Sequence, residues 1–281
     1  HTRYISVTGV QTCALPISGG AGFACVYNVP LGGAIFTAEV LYGSFALPVA
    51  MAALSSSTIA TMVGWLYLQH GPTYADIPNY QFSTSLEVWS VIAGVIIGVL
   101  ALSYIRVVGL VSHYRIKGVH IIWAMPIIFA GVGLLGTRYP QLFGNGKDIA
   151  HSAFLGSMSI GLLFALLALK PLATVATLGS SASGGVFTPF FATGALGGGF
   201  LGALWLHWWP GTPVGAFAIV GAAAMLGASM QAPLAGMVLV MELMHGGFSL
   251  MVPMLTATAI ATILVRQVDG YSIYSARLPR H

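Results

Sequence analysis

Eleven residues, Gly179-Ser-Ser-Ala-Ser-Gly-Gly-Val-Phe-Thr-Pro189, carry the most specific chemical suggestion in this chain. Gly184 and Gly185 permit an irregular backbone. Pro189 suits the first turn of a helix, where its missing N–H removes no bond. The amides of Gly185, Val186 and Phe187 then become donors at a helix N-terminus. Such an end binds anions, because the N–H groups and the positive end of the helix dipole point the same way. The loop contains no Lys or Arg. Partial charges hold an ion more weakly than a full cation does, which suits an ion that must also leave. The plainer reading is a helix–helix turn of small residues. A phosphate loop would need a Lys and a preceding strand, and both are missing.

Two carboxylates form the second feature. Of 6 Asp and Glu, only Glu39 and Glu242 sit inside long apolar runs, and an intramembrane Glu is a functional candidate by default. Their contexts match: Asn28-Val-Pro-Leu-Gly-Gly-Ala-Ile-Phe-Thr-Ala-Glu39 parallels Gln231-Ala-Pro-Leu-Ala-Gly-Met-Val-Leu-Val-Met-Glu242. Pro30 and Pro233 each stand nine residues before the Glu, and 203 positions separate the copies. Broken helices plus internal duplication are typical of transporters, with the site at the repeat interface. The plainer reading is a common way to begin a membrane helix, with a Glu that caps backbone amides.

Other chemistry is sparse. Cys13 and Cys25 offer neither a disulfide framework nor metal spacing, and Cys25 reads as a packed thiol. No catalytic residue, metal site or cofactor is expected. Gly227-Ala-Ser229-Met, with His245 sixteen residues on, gives a remote alternative: an intramembrane serine protease.

The elements that must position these residues follow from composition. The 281 residues include 10 Lys and Arg and 6 Asp and Glu, so 6% are charged and 57% are hydrophobic. Soluble domains carry roughly 25% charged residues. A soluble enzyme, a disordered chain and a nucleic-acid binder are excluded. The apolar runs are too continuous for a transmembrane barrel, so the expected class is an all-α integral membrane protein. A span takes about 20 apolar residues, and such runs occur near 21–42, 44–68, 88–112, 119–136, 151–169, 190–208, 213–229 and 233–265. The connection 106–120, with Arg106, Arg115 and Lys117, reads as cytoplasmic by the positive-inside rule, and 69–88 and 138–148 as external.

Residues 1–18 fit none of this. They lack an initiator Met, a clear period and a cleavage pattern. They resemble a non-native, translated-vector prefix, with residues 19–281 as a membrane domain whose early helices are missing.

Taken together these segments resemble the CLC family of chloride channels and chloride/proton antiporters, over about Gly19 to Leu278. Ser183-Gly-Gly-Val-Phe-Thr-Pro189 resembles the family's filter loop, the two Pro-Leu…Glu segments resemble its duplicated helices, and Ser272-Ile-Tyr-Ser275 resembles its last-helix signature. The resemblance implies an antiparallel (inverted) repeat of tilted and broken helices, a homodimer, and one anion path per subunit in a bilayer, here a bacterial cytoplasmic membrane. It places chloride against the amides of Val186 and Phe187 and the phenol of Tyr274, a neutral donor. The plainer roles are core packing for Phe187 and an interfacial anchor for Tyr274. Two departures stand out. The family's early chloride-binding Ser loop and its gating-Glu loop are absent from this chain. The inner proton-relay Glu that antiporters carry just after the position of Glu39 is Val40 here. Glu39 itself reads as a structural carboxylate. A broken-helix carrier for another small solute and a purely structural membrane bundle are the remaining alternatives.

Overall fold

The computed structural model describes residues 9–68 and 70–277. Among them every regular element is helical. The helices are α1 (Gly9–Tyr27), α2 (Pro30–Phe36, continued by a π-helix Thr37–Tyr42), α3 (Leu47–Gly64), α4 (Thr84–His113), α5 (Ile121–Arg138), α6 (Lys147–Phe154), α7 (Ile160–Gly179), α8 (Phe187–Trp205), α9 (Val214–Met230), α10 (Pro233–Leu243) and α11 (Met251–Val268). Six segments are long and apolar enough to cross a bilayer: Leu47–Gly64, Thr84–His113, Gly118–Arg138, Ile160–Gly179, Phe187–Trp205 and Phe248–Val268. The chain is a multi-pass membrane protein. It divides into two compact units, residues 1–76 with 238–247, and residues 77–237 with 248–281.

Three apolar runs prove to be more than one helix each. The run near 21–42 breaks at Asn28, which has φ 56°, and restarts at Pro30. Pro at the first helical position fixes φ and sacrifices no helical bond. The run near 151–169 is the end of α6 and the start of α7, parted at Gly156 with φ 65°. The run 233–265 breaks at His245 and Gly247, both with positive φ. A window about 20 residues wide averages over breaks this short, so hydropathy does not register them. Conversely, α7 continues past 169 to Gly179, through Lys170 and Pro171. The ammonium of Lys170 donates to the carbonyls of Leu142 (3.0 Å) and Gly144 (2.8 Å), so the charge is hydrogen-bonded where it lies.

The smaller unit shows how the repeated motif is built. The N–H of Val29 donates to Ala24 O at 3.0 Å across the left-handed Asn28, and α2 follows. A Cβ added at Gly33 would come within 2.6 Å of Ala24 Cβ and 2.8 Å of Gly20 O. Glycine is required there by the close return of α2 on α1. Cys25 faces Gly64, where an added Cβ would meet its sulfur at 2.7 Å. It is a packed free thiol, and the side chain of Cys13 lies outside the described residues.

The larger unit repeats the device 203 positions on. Gln231 has φ 58°, the N–H of Ala232 donates to Gly227 O at 2.9 Å, and α10 starts at Pro233. An added Cβ at Gly236 would come within 2.5 Å of Gly227 N and 3.2 Å of Ala223 O. Gly33 and Gly236, Ala24 and Gly227, and Gly20 and Ala223 therefore occupy equivalent places. The duplication read from twelve residues extends into the preceding helix.

Packing in the larger unit centres on α9, buried along its whole length after Val214, as a helix apolar on all sides must be. α8 lies against it through Gly194, Gly198 and Gly202. A Cβ at Gly198 would sit 2.3 Å from Phe217 O, and one at Gly221 would sit 2.5 Å from Gly194 O. Small residues let two backbones approach this closely, which is how membrane helices gain dispersion energy where lipid supplies no hydrophobic drive. In α5, by contrast, only Gly136 is buried, and its outward apolar side chains suit lipid.

Candidate functional site

The Gly-rich loop connects α7 to α8. The C-cap residue of α7 is Ser180, whose hydroxyl donates to Thr177 O at 2.7 Å. Ser181 follows with φ 68°, and its hydroxyl donates to Ile116 O. The N–H of Ile116 donates to Gly179 O at 3.1 Å. The loop is thus held at its start by the connection after α4. Its irregular residue is Ser181. Neither Gly184 nor Gly185 has a positive φ, so conformational freedom is not why they are glycines. They leave room instead: an added Cβ at Gly185 meets nothing within 4 Å. Ser183, Gly184 and Gly185 are exposed, while Val186, Phe187 and Pro189 are buried.

α8 begins at Phe187, with Val186 as its N-cap, and the Val186 side chain makes no capping bond. The N–H of Phe190 donates to Val186 O at 3.1 Å, the first bond of the ladder. A loop without cations thus runs into the N-terminus of α8, whose first turn is anchored in the core. Phe190 stacks on Tyr104 with ring centroids 4.0 Å apart, which fixes α8 against α4.

Tyr274 is 36% exposed. Its segment is pinned on both sides. The N–H of Ile273 donates to Ser229 O at 2.8 Å, and the amide and hydroxyl groups of Ser272 and Ser275 bond each other. The turn Ser275–Arg277 rests on α4 at Gly109, where an added Cβ would lie 3.0 Å from Ala276 O. Arg277 lines one cavity together with Ser183 and Gly184, so the C-terminal segment returns to the loop.

The two carboxylates take different places. Glu39 and Val40 lie, half-buried, in the π-helix that continues α2; such windings occur often at functional positions. Glu242 caps α2, accepting from the N–H of Leu31 at 3.0 Å and of Gly32 at 2.5 Å. Ser229 is fully buried, and its hydroxyl donates to Leu226 O within its own helix at 3.1 Å.

Sequence reasoning overlooked Lys170. It is 3% exposed and lines a cavity of about 360 Å³ with Leu142, Gly144, Gly184, Gly185 and Pro189. A buried cation therefore stands beside the filter-like loop. The signal was available, since Lys170 is the one charge in the apolar stretch 160–179.

A family model described as voltage gated chloride channel matches residues 11–266. The chain belongs to that family of CLC-type membrane proteins. Its curated relatives include the voltage-gated ClC-type chloride channel ClcB of Salmonella typhi, 30% identical over 271 residues, which cover 93% of this chain and 63% of the relative. They also include the H(+)/Cl(-) exchange transporter ClcA of Yersinia pestis bv. Antiqua (strain Angola), 27% identical over 275 residues, which cover 95% of this chain and 57% of the relative. The chain thus spans about six-tenths of the length of these relatives. Among solved structures, a slow cyanobacterial Cl-/H+ antiporter shares the fold with a TM-score of 0.85 at 20% identity, covering 94% of this chain and 63% of that one. A CLC-type fluoride/proton antiporter follows at 0.75 and 22%, covering 95% and 66%. The fold is the all-α CLC membrane fold.

Proposed function

We propose that this chain forms the filter-bearing part of a chloride-transport protein that works as a homodimer in a bacterial cytoplasmic membrane. The observation that carries the reading is the N-terminus of α8, entered through a cation-free loop with open space at Gly185. Chloride rests against the amides of Val186 and Phe187, passes Gly185 on its way in, and takes a hydrogen bond from the Tyr274 hydroxyl. Ser183, Gly184 and Pro189 shape the loop around it. Amides and a phenol hold a monovalent anion without trapping it. Relatives named as a channel and as an exchange transporter have similar identity to this chain, and Val40 favours the channel mode. A Val side chain neither takes nor gives a proton, and transport here is channel-like, without a proton coupled at that position.

The test uses the complete reading frame that carries this sequence, reconstituted in liposomes. Tyr274→Ala and Gly185→Leu are expected to change chloride flux or chloride/nitrate selectivity. Unchanged flux and selectivity in both variants would contradict the reading.

A further inference from the structure

A second cavity, of about 610 Å³, lies where the connection after α4, the loop after α7 and the C-terminal turn come together. Its wall includes His113, Arg115, Lys117, Ser183 and Arg277, and no Asp or Glu lines it. The ion pair present among the described residues is Arg106 with Asp269, so within them Arg115, Lys117 and Arg277 have no carboxylate partner. Ser112 also lines it; the Ser112 hydroxyl oxygen and His113 Nε2 are buried in the protein without a hydrogen-bond partner.

Three like charges around one cavity repel one another, and an anion of matching charge relieves that repulsion. A chloride would leave most of the charge uncompensated. A phosphate group brings about −1.5 to −2 charges and three strong acceptor oxygens. The guanidinium forks of Arg115 and Arg277 suit two of those oxygens at once, and Lys117 adds a point charge. We propose that this cavity is a binding site for phosphate-type oxyanions. The assignment stands on the cavity and its cations; two of its lining residues, Ser183 and Gly184, also belong to the loop proposed to hold chloride. Two sources share this chemistry: soluble di- and polyphosphates, and the phosphate headgroup of a lipid.

The test is calorimetric titration of the 281-residue chain in neutral detergent with inorganic pyrophosphate, at fixed ionic strength. Saturable binding is expected. Arg115→Gln with Lys117→Gln, and separately Arg277→Gln, should each weaken it by at least about tenfold, while Arg138→Gln outside the cavity leaves it unchanged. Circular dichroism of each variant confirms that helix content is retained. Absence of saturable binding, or equal binding by the double variant, would overturn the proposal. The same titration in nanodiscs with and without phosphatidic acid separates the sources. Loss of pyrophosphate affinity in phosphatidate discs, seen only when the three cations are present, supports the site and assigns it to headgroups. Equal affinity in both discs supports it and assigns it to soluble phosphates.

Discussion

The carboxylate of Glu242 accepts the N–H of Gly32 at 2.5 Å. One copy of the duplicated motif ends in Glu242, and the other begins its helix at Pro30, Leu31 and Gly32. The last residue of one copy therefore closes the first turn of the other. This satisfies donors that a helix start leaves unpaired, and a negative charge there also suits the dipole.

Removing that cap leaves two amides without acceptors. Glu242→Ala is expected to destabilise the protein by about 1–3 kcal/mol, read as a lowered Tm in detergent. Glu242→Gln keeps one acceptor oxygen and should lose less. Equal Tm values for wild type and Glu242→Ala would show that the cap contributes nothing.

Close backbone approach makes α8 intolerant of even one methyl. Gly198→Ala places its Cβ on the carbonyl of Phe217, 2.3 Å away, and overpacking of this kind costs about 1–3 kcal/mol. Gly131 in α5 has nothing within 4 Å of an added Cβ. Gly131→Ala should therefore hold or raise stability, by roughly 0.5–1 kcal/mol, because alanine loses less backbone entropy in a helix. Thermal unfolding of the pair checks the contrast.

Lys170 is expected to matter for anion affinity as well as for packing. Its ammonium ties down the carbonyls of Leu142 and Gly144, and the residue lines the cavity shared with Gly184 and Gly185. Lys170→Met should weaken chloride binding severalfold and lower Tm, because two carbonyls lose their donor and the loop loses a nearby positive charge. Equal chloride affinity in the Lys170→Met protein would place the charge outside the anion's field.

Val40 predicts the coupling mode. Chloride efflux from liposomes should proceed without stoichiometric proton movement, followed by a chloride electrode and a pH electrode together. Protons moving in fixed ratio to chloride would show a relay that bypasses Val40.

Much of this was legible in the sequence, for physical reasons that differ by element. The loop ending at Pro189 and the duplicated Pro30 and Pro233 segments are local patterns, and local patterns survive in one dimension. The breaks at Asn28 and His245 are left-handed residues inside apolar runs, where hydropathy carries no signal. Gly184 and Gly185 permit an irregular backbone, yet the left-handed φ belongs to Ser181. Their role is to leave space, which only three-dimensional placement reveals. The basic cavity was least legible of all: Arg277 and Lys117 lie far apart in the chain, and the fold alone puts them on one wall.

The proposed chloride path requires an anion at the N-terminus of α8. Anomalous diffraction from crystals grown in bromide tests it directly. The expected result is a bromide peak within hydrogen-bonding reach of the backbone amides of Val186 and Phe187 and of the Tyr274 hydroxyl, lost on Tyr274→Ala or blocked by Gly185→Leu. Well-ordered bromide elsewhere along the helices, with none at this loop, would contradict it.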